Sequence, residues 1–168
     1  MYNISYLTGN IADAKADVIV NAANGVGYLG GKKAIRGELN GVSESLNQKT
    51  NGALERVSLF AARKNPHISS WFYGYNPGEY FVTDACGLSC KKVFHAVTMR
   101  FPGMPSKEKY IHMLLSALFI YCIDNNYHSV AIPLLGCGTG GLDKQRVKNM
   151  ILKKAENYKK YIEVQLYE

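Results

Sequence analysis

Apolar and polar positions along the chain form short apolar runs separated by longer stretches with helical periodicity. The second of these runs contains Val18, Ile19 and Val20 in succession, which is typical of a strand covered on both faces. The pattern therefore favours a buried sheet. The runs that predict strands are residues 4–7, 18–23, 79–83, 92–97, 129–133 and 162–166.

Helices are predicted between these runs. Residues 32–64 are expected to be helical in two or three pieces, with Gly37, Gly41 and Gly52 as interruptions. A further helix is expected to begin at a cap formed by Ser106, without a full capping box, and to carry one apolar stripe.

The second half of the chain alternates strand, helix, strand, helix, strand, with its last helix over residues 143–158 and Asp143 as the cap. This order predicts parallel strands joined by right-handed crossovers. In such α/β folds, ligands bind outside the carboxyl ends of the strands. We expect residues 1–168 to form one domain.

The loop after residues 129–133 is rich in glycine, with Gly136, Gly138, Gly140 and Gly141. Without Cβ atoms, backbone N–H groups can crowd together and point at an anion, and the following helix N-terminus adds positive partial charge. Neither the GxGxxG pattern nor the P-loop pattern is satisfied. The loop predicts a phosphate or diphosphate site, with a flexible connector as the alternative.

A second glycine-rich loop follows the buried run at residues 18–23. Asn21 and Asn24 stand at the end of that run, and side-chain amides both donate and accept hydrogen bonds, which suits sugar hydroxyls. Both asparagines can instead be turn-forming residues. Two such loops could hold one extended ligand from both sides. The glycines of this second loop are Gly25, Gly27, Gly30 and Gly31.

Composition narrows the class of protein without naming it. The chain is 47% hydrophobic and 20% charged, as soluble globular proteins are, and no apolar run approaches the ~20 residues of a membrane span. The N-terminus lacks the features of a signal peptide. We therefore expect a cytoplasmic protein with reduced cysteines, no metal site, no cofactor and no membrane contact, and we expect a monomer.

The net charge of +7 permits a polyanionic partner. Much of the excess lies on the last helix, where a solvated lysine-rich face is the simpler interpretation. The alternative is weak contact between this basic C-terminal helix and nucleic-acid phosphates. The cations in question are Lys144, Arg146, Lys148, Lys153, Lys154, Lys159 and Lys160.

Four stretches together resemble the macrodomains, a family that binds ADP-ribose. TGNI resembles their GDI segment, and ADVIVNAAN at residues 16–24 matches their most recognisable motif. GEYFVTDACGLSCKKVFHAV and SVAIPLLGCGTGGLD are similar to two further family stretches. The resemblance covers about residues 3–168. It implies a three-layer α/β/α fold with a mixed central sheet and a cleft for ADP-ribose at the strand ends.

The resemblance also implies roles for individual residues. Asn10 and Ile11 would lie beside the adenine, Asn24 would face the distal ribose, and residues 136–140 would hold the diphosphate. The residues expected to contact the ligand are Asn10, Ile11, Ala22, Asn24, Gly30, Gly31, Lys32, Leu135, Gly136, Cys137, Gly138, Thr139 and Gly140.

The sequence departs from the family pattern at several of these places. Asn10 replaces an aspartate that accepts from the adenine amino group, and Lys32 stands where the hydrolase-type first loop has an aspartate. The GCG…GL loop is closer to the branch that removes ADP-ribose from glutamate or from DNA. That branch uses a lysine where this chain has Met99, with Arg100 beside it.

Other polar and aromatic residues have a structural interpretation beside the functional one. His95 lies within an apolar run and is expected to be a core histidine with a backbone partner. Aromatic side chains could line an adenine or ribose site or could pack in the core. These aromatic residues are Tyr28, Trp71, Phe72, Tyr73 and Tyr75.

These features leave two main hypotheses for function. The first is a hydrolase that removes ADP-ribose from a protein or nucleic acid, or that dephosphorylates ADP-ribose 1″-phosphate, with Asn24 as the catalytic residue. Lys32 or Lys33 could attract a terminal phosphate, or both could be solvated. The second hypothesis is a module that only binds ADP-ribose. Nucleic-acid binding through charge alone is a weaker, third reading.

Overall fold

The computed structural model of the protein describes residues 2–168. Its strands are β1 (Ile4–Leu7), β2 (Val18–Asn24), β3 (Tyr80–Asp84), β4 (Lys92–Met99), β5 (Ser129–Pro133) and β6 (Glu163–Tyr167). Its helices are α1 (Gly31–Ile35), α2 (Val42–Lys49), α3 (Ala53–Ala61), α4 (Glu108–Asp124) and α5 (Lys144–Glu156), with a 3₁₀ turn at Ile11–Asp13.

The strands form one six-stranded sheet in the order β1-β6-β5-β2-β4-β3. All neighbouring pairs are parallel except β3 and β4, which are antiparallel, so the sheet is mixed. Helices α4 and α5 pack on one face of the sheet, and α2 and α3 pack on the other. The expected three-layer α/β/α fold with a mixed central sheet is therefore confirmed.

Alternation along β2 assigns one core to each face of the sheet. Val18 and Val20 pack with α4 and α5, whereas Ile19 packs on the other face, where Leu46 of α2 and Leu54 of α3 cover it. All five side chains are fully buried. This is why the run at residues 18–20 is apolar at every position, as covered parallel strands require.

Glycines end and begin the helices as expected. Gly37 follows α1, Gly41 precedes α2, and Gly52 precedes α3 in a left-handed conformation with a φ of 82°. Asp143 caps α5, because its Oδ1 accepts from the Arg146 N–H at 2.8 Å. These predictions are confirmed.

The predicted cap at Ser106 is wrong. Helix α4 begins at Glu108, its N-cap position is Lys107, and no side chain caps it. The Ser106 N–H instead donates to the Gly140 carbonyl at 2.9 Å. Its buried hydroxyl has no hydrogen-bond partner in residues 2–168. Ser106 therefore supports the glycine loop across the fold rather than starting the helix.

The topology brings the two glycine-rich loops together. Strands β2 and β5 are parallel neighbours, so their carboxyl ends, at Asn24 and Pro133, lie at the same edge of the sheet. The loops that follow them begin at that edge, where ligands bind in α/β folds. None of the helices described over residues 2–168 is long and apolar enough to cross a membrane.

Candidate functional site

The loop between β5 and α5 turns back on itself and leaves a run of amides free. The Leu142 N–H donates to the Gly136 carbonyl at 3.0 Å, and the Gly141 N–H donates to the Gly138 carbonyl at 3.1 Å. Within residues 2–168, the amides of Gly138, Thr139 and Gly140 donate to no protein acceptor. Consecutive free N–H groups of this kind form a concave site for an anion.

Three of the glycines in this loop occur for different physical reasons. A Cβ on Gly140 would lie 2.5 Å from the Gly136 carbonyl oxygen, so the fold requires a glycine there. Gly136 has a φ of 75°, which disfavours other residues. Gly138 has neither constraint, because a Cβ there would meet nothing within 4 Å. Its bare backbone leaves open space at the surface of the cleft.

Asn24 shapes the loop between β2 and α1. Its Oδ1 accepts from the N–H groups of Val26, at 3.2 Å, and Tyr28, at 3.1 Å. Its Nδ2 donates to the Tyr28 carbonyl at 2.8 Å. An asparagine amide has two N–H donors, so one remains for a ligand. Asn24 therefore has a structural role beside its predicted role in catalysis.

Glu55 occupies two backbone amides of the loop between β2 and α1. Its Oε2 accepts from the N–H groups of Leu29, at 2.7 Å, and Gly31, at 2.9 Å. This carboxylate, which is carried by α3, takes the place of an external anion and holds the loop in position. Gly30, Gly31 and Lys32 are not among the residues that line the cavities described next.

Two adjoining cavities form a cleft along the strand ends. The first has a volume of about 200 Å³ and the second about 630 Å³. Both are lined by Leu134 and Gly138 and by residues 40–42, so these residues form the boundary between the cavities. Gly138 therefore lies at the boundary between the two cavities, while Thr139 and Gly140 line the first.

The cleft brings together most of the residues expected to contact a ligand. Asn10, Ile11 and Cys137 line the second cavity. Leu135 is fully buried, and its neighbour Leu134 lines both cavities instead. The expected residues that line the first cavity are Ala22, Asn24, Gly136, Gly138, Thr139 and Gly140.

The structure adds residues that sequence reasoning missed. Ser43 and Glu44, in the first turn of α2, line the first cavity together with Thr98. Glu44 is the only Asp, Glu, Lys, Arg or His among the residues that line it. A Cβ on Gly30 would lie 2.7 Å from Glu44 Cγ, so this glycine makes room for the glutamate. In sequence, residues 40–44 look like the start of an ordinary helix, so nothing there indicates that Ser43 and Glu44 line a cavity.

A buried hydrogen-bond chain connects the first cavity to the far edge of the sheet. The Ser43 hydroxyl donates to Asn21 Oδ1 at 2.9 Å, and Asn21 Nδ2 lies 3.1 Å from His95 Nδ1. His95 Nε2 lies 2.9 Å from the Thr83 hydroxyl, which is 3.2 Å from the Asp84 carbonyl. These partners require a neutral imidazole with its proton on Nε2.

Burial stabilises that neutral form. His95 is fully buried, and this lowers its pKa to about 3. The expectation of a core histidine is correct, although both partners are side chains rather than backbone groups. Asn21 likewise lies in the core and orients Ser43.

Met99 and Arg100 stand where the resemblance implies a lysine in the branch that removes ADP-ribose from glutamate or DNA, and they do not supply a cation to the cleft. Met99 lines the first cavity, but Arg100 points elsewhere, because its Nη2 donates to the carbonyls of Ser70 and Trp71. Burial raises the pKa of the Cys137 thiol, so at neutral pH it is not a thiolate nucleophile.

The expected aromatic residues divide between site, core and surface. Tyr28 lines the first cavity, and Tyr75 packs against Phe81 with the ring centroids 5.3 Å apart. Trp71, Phe72 and Tyr73 are exposed and line neither cavity. Within residues 2–168, no three His, Cys, Asp or Glu side chains cluster as metal ligands.

The fold and the amide-lined cleft define an α/β domain with a site for a phosphate-bearing ligand. A model of the Macro domain family matches residues 20–151 of this chain, and the chain belongs to that family. An uncharacterized protein of Aquifex aeolicus is 32% identical over 143 residues, which cover 85% of this chain and 74% of that protein.

A second relative has a named activity. The DNA ADP-ribosyl glycohydrolase of Thermus aquaticus is 26% identical over 167 residues, covering 98% of this chain and 41% of that protein. This chain thus spans about two fifths of that relative's length.

Solved structures agree with the fold. The macrodomain of Mycobacterium tuberculosis DarG has a TM-score of 0.80 at 24% identity, covering 99% of this chain and 98% of that one. A Trypanosoma brucei macrodomain solved in complex with ADP-ribose has a TM-score of 0.72 at 19% identity, covering 98% of this chain and 63% of that one. At these identities the structures establish the shared fold.

Proposed function

We propose that the cleft binds ADP-ribose and that the protein hydrolyses an ADP-ribosyl linkage. The observation that carries the proposal is the run of free amides at residues 138–140, which lines the first cavity and reaches its boundary with the second at Gly138. A diphosphate that joins two nucleoside-like ends matches that arrangement, since its charge meets the amides and its ends enter the cavities. The structure of a family member in complex with ADP-ribose supports the choice of ligand.

The two ends of the ligand have different surroundings. The larger second cavity contains Asn10 and Ile11, the residues expected beside the adenine. The smaller first cavity contains Asn24, expected at the distal ribose. The linkage to be cleaved, at the anomeric carbon of the distal ribose, then lies beside Glu44 and Ser43.

Glu44 is the group best placed to activate water. In the proposed step, a water oxygen attacks the anomeric carbon, the bond to the acceptor breaks, and the Glu44 carboxylate takes the proton from the water. The departing acceptor atom then receives that proton. Asn24 orients the distal ribose through its remaining amide hydrogen, and Ser43 is held in place by Asn21. General-base catalysis of this kind contributes about 10²–10⁴-fold in rate.

The named relatives favour a nucleic acid as the acceptor that carries the ADP-ribose. Relatives from Thermus aquaticus and Mycobacterium tuberculosis are named DNA ADP-ribosyl glycohydrolases. ADP-ribosylated protein and ADP-ribose 1″-phosphate are the other substrates to test. Lys32 and Lys33 are exposed and outside the cleft lining, which disfavours a terminal phosphate held by them.

A module that only binds ADP-ribose is the second candidate. Two observations favour it: Met99 stands at the position of the branch's lysine, and Asn24 makes three hydrogen bonds within its own loop. Such a module would bind ADP-ribose with the same cleft and release nothing. A monomer located in the cytoplasm remains our expectation for either candidate.

One experiment separates the two candidates. The protein is incubated with ADP-ribosylated single-stranded DNA, ADP-ribosylated glutamate peptide and ADP-ribose 1″-phosphate, and released ADP-ribose is measured by chromatography. We expect release from at least one substrate, with the rate lost in Glu44→Gln. Tight ADP-ribose binding with no release from any substrate would instead establish the binding module.

A further inference from the structure

A group of aromatic side chains lies on the surface outside the cleft. Trp71 is 49% exposed, Phe72 is 87% exposed and Phe101 is 37% exposed. The rings of Trp71 and Phe101 are stacked, with centroids 6.2 Å apart and an interplanar angle of 17°. We call Trp71, Phe72 and Phe101 the aromatic platform. Large apolar groups exposed together in this way mark a surface for interaction.

Arg100 joins the two segments that form the aromatic platform. Its guanidinium lies 4.4 Å from the centre of the Phe101 ring, and its Nη2 donates to the Trp71 carbonyl at 3.2 Å. The partly buried guanidinium is thus held against the ring of Phe101 and against the backbone of Trp71. Nη1 of Arg100 is buried without a partner in residues 2–168.

The aromatic platform is continuous with the first cavity. Pro102 and Gly103, which follow Phe101 directly, line that cavity. On the other segment, the Tyr75 N–H donates to the Gly25 carbonyl at 3.0 Å, next to Asn24. A group attached to a ligand in the first cavity therefore passes close to the aromatic platform as it leaves the cleft.

The charges of the two segments suit a polyanion. Residues 56–78 contain Arg56, Arg63 and Lys64 but no aspartate or glutamate, and residues 85–107 contain no acidic residue either. Lys64 is paired with Glu79, which follows the first segment, at 2.8 Å. A phosphate backbone beside the aromatic platform would therefore meet cations and no carboxylate from these two segments. Exposed rings with basic neighbours are the features by which proteins bind single-stranded nucleic acid.

We propose that the aromatic platform stacks bases of a single-stranded nucleic acid next to the nucleotide that carries the ADP-ribose. The inference rests on the proposed function for the modified nucleotide, but the stacking itself does not require ADP-ribose. Bases in a duplex are stacked on each other and hydrogen-bonded to the opposite strand, so the aromatic platform selects single strands. A second copy of this chain is less suited as the partner, because neither segment contains a carboxylate that could pair with the basic side chains of the other copy.

Trp71 provides a direct probe, because it is the only tryptophan in the chain. The full chain, saturated with ADP-ribose, is titrated with a short unmodified single-stranded DNA while tryptophan fluorescence is followed. We expect saturable quenching, and weaker binding by the same sequence as a duplex. Equal binding of both forms, or no change in fluorescence on binding, would overturn the proposal.

Variants test the contribution of each ring. Affinity for the single strand, measured by fluorescence anisotropy of labelled DNA, should fall about 5- to 150-fold in Trp71→Ala, and also in Phe72→Ala, as expected for lost base stacking. Tyr161→Ala is the matched control, since Tyr161 is 56% exposed and lies before β6, away from both segments. An unchanged affinity in both platform variants would overturn the proposal.

Calorimetry with free ADP-ribose keeps this result separate from the proposed function. Trp71→Ala should bind ADP-ribose as the wild type does, because Trp71 lines neither cavity. If the wild type does not bind ADP-ribose, the proposed function is refuted. If the wild type binds single-stranded and duplex DNA equally well, the proposed role of the aromatic platform is refuted. If Trp71 responds only to self-association of the protein, the surface is a protein contact and the proposal is wrong.

Discussion

A carboxylate placed at Gly138 should abolish ADP-ribose binding without unfolding the protein. A Cβ at Gly138 meets nothing within 4 Å, and its backbone is not in the left-handed region, so a side chain fits there. The new charge would stand at the amides proposed to hold the diphosphate. Two unit charges ~4 Å apart, at an effective dielectric constant of ~20, interact by about 4 kcal/mol.

That energy corresponds to a loss of affinity of about 1,000-fold, and solvent at this exposed position should reduce it to somewhere between 100- and 1,000-fold. Calorimetry of Gly138→Glu against Gly138→Gln isolates the charge, because the two side chains have nearly the same size. Thermal unfolding of both variants checks the fold. Equal affinities in the Glu and Gln variants, or normal binding by a folded Gly138→Glu protein, would refute the assignment of the diphosphate to this loop.

Three further predictions concern catalysis, stability and the shape of the loop. Glu44→Gln should retain ADP-ribose binding and lower turnover about 10²–10⁴-fold, whereas Glu38→Gln, an exposed residue outside the cleft lining, should match the wild type in a release assay. The buried neutral form of His95, with its pKa lowered to about 3, gives stability that is present above the unfolded pKa of about 6.5 and lost as the pH falls below it. The free energy of unfolding, measured in urea, should fall by up to ~1.4 kcal/mol per pH unit as the pH is lowered from about 6.5 to 4.5. This slope should be absent in His95→Gln. Gly140→Ala should lower the free energy of unfolding by about 1–3 kcal/mol, because its Cβ would lie 2.5 Å from a carbonyl oxygen, whereas the same change at Gly138 should cost little in urea unfolding.

The sequence was informative where local patterns decide the structure. The apolar run at residues 18–20 predicted a strand covered on both faces, and the helix cap at Asp143 followed from its position after the glycine loop. The family motifs located most of the cleft. Each of these features depends on residues close together in the chain, which a sequence pattern can show.

Contacts between distant residues could not be predicted in this way. Glu55 fills the amides of a loop 24 residues away, and Asn21 meets His95 across 74 residues. The same limit explains Ser106, whose N–H donates to the Gly140 carbonyl of the distant glycine loop, while α4 begins two residues later at Glu108. The tertiary structure decides which donors remain free for a ligand, and therefore how each glycine-rich loop acts.

The basic C-terminal helix illustrates how pairing alters a prediction made from charge. Arg146 pairs with Glu108, Lys148 pairs with Glu168, and Lys154 donates to the Ser116 hydroxyl. These cations are partly neutralised or held within the chain. Contact between this helix and nucleic acid stays a prediction, and the aromatic platform beside the cleft is the surface that we favour.

Calorimetry with ADP-ribose and with AMP is the decisive comparison for the proposed cleft, because we expect AMP to fill the second cavity without reaching the first. We expect ADP-ribose to bind at roughly micromolar strength, about −8 kcal/mol, and AMP, which lacks the second phosphate and the distal ribose, to bind much more weakly. Equal affinities for the two ligands, or no binding of ADP-ribose, would contradict the two-cavity cleft bridged by the amides of residues 138–140.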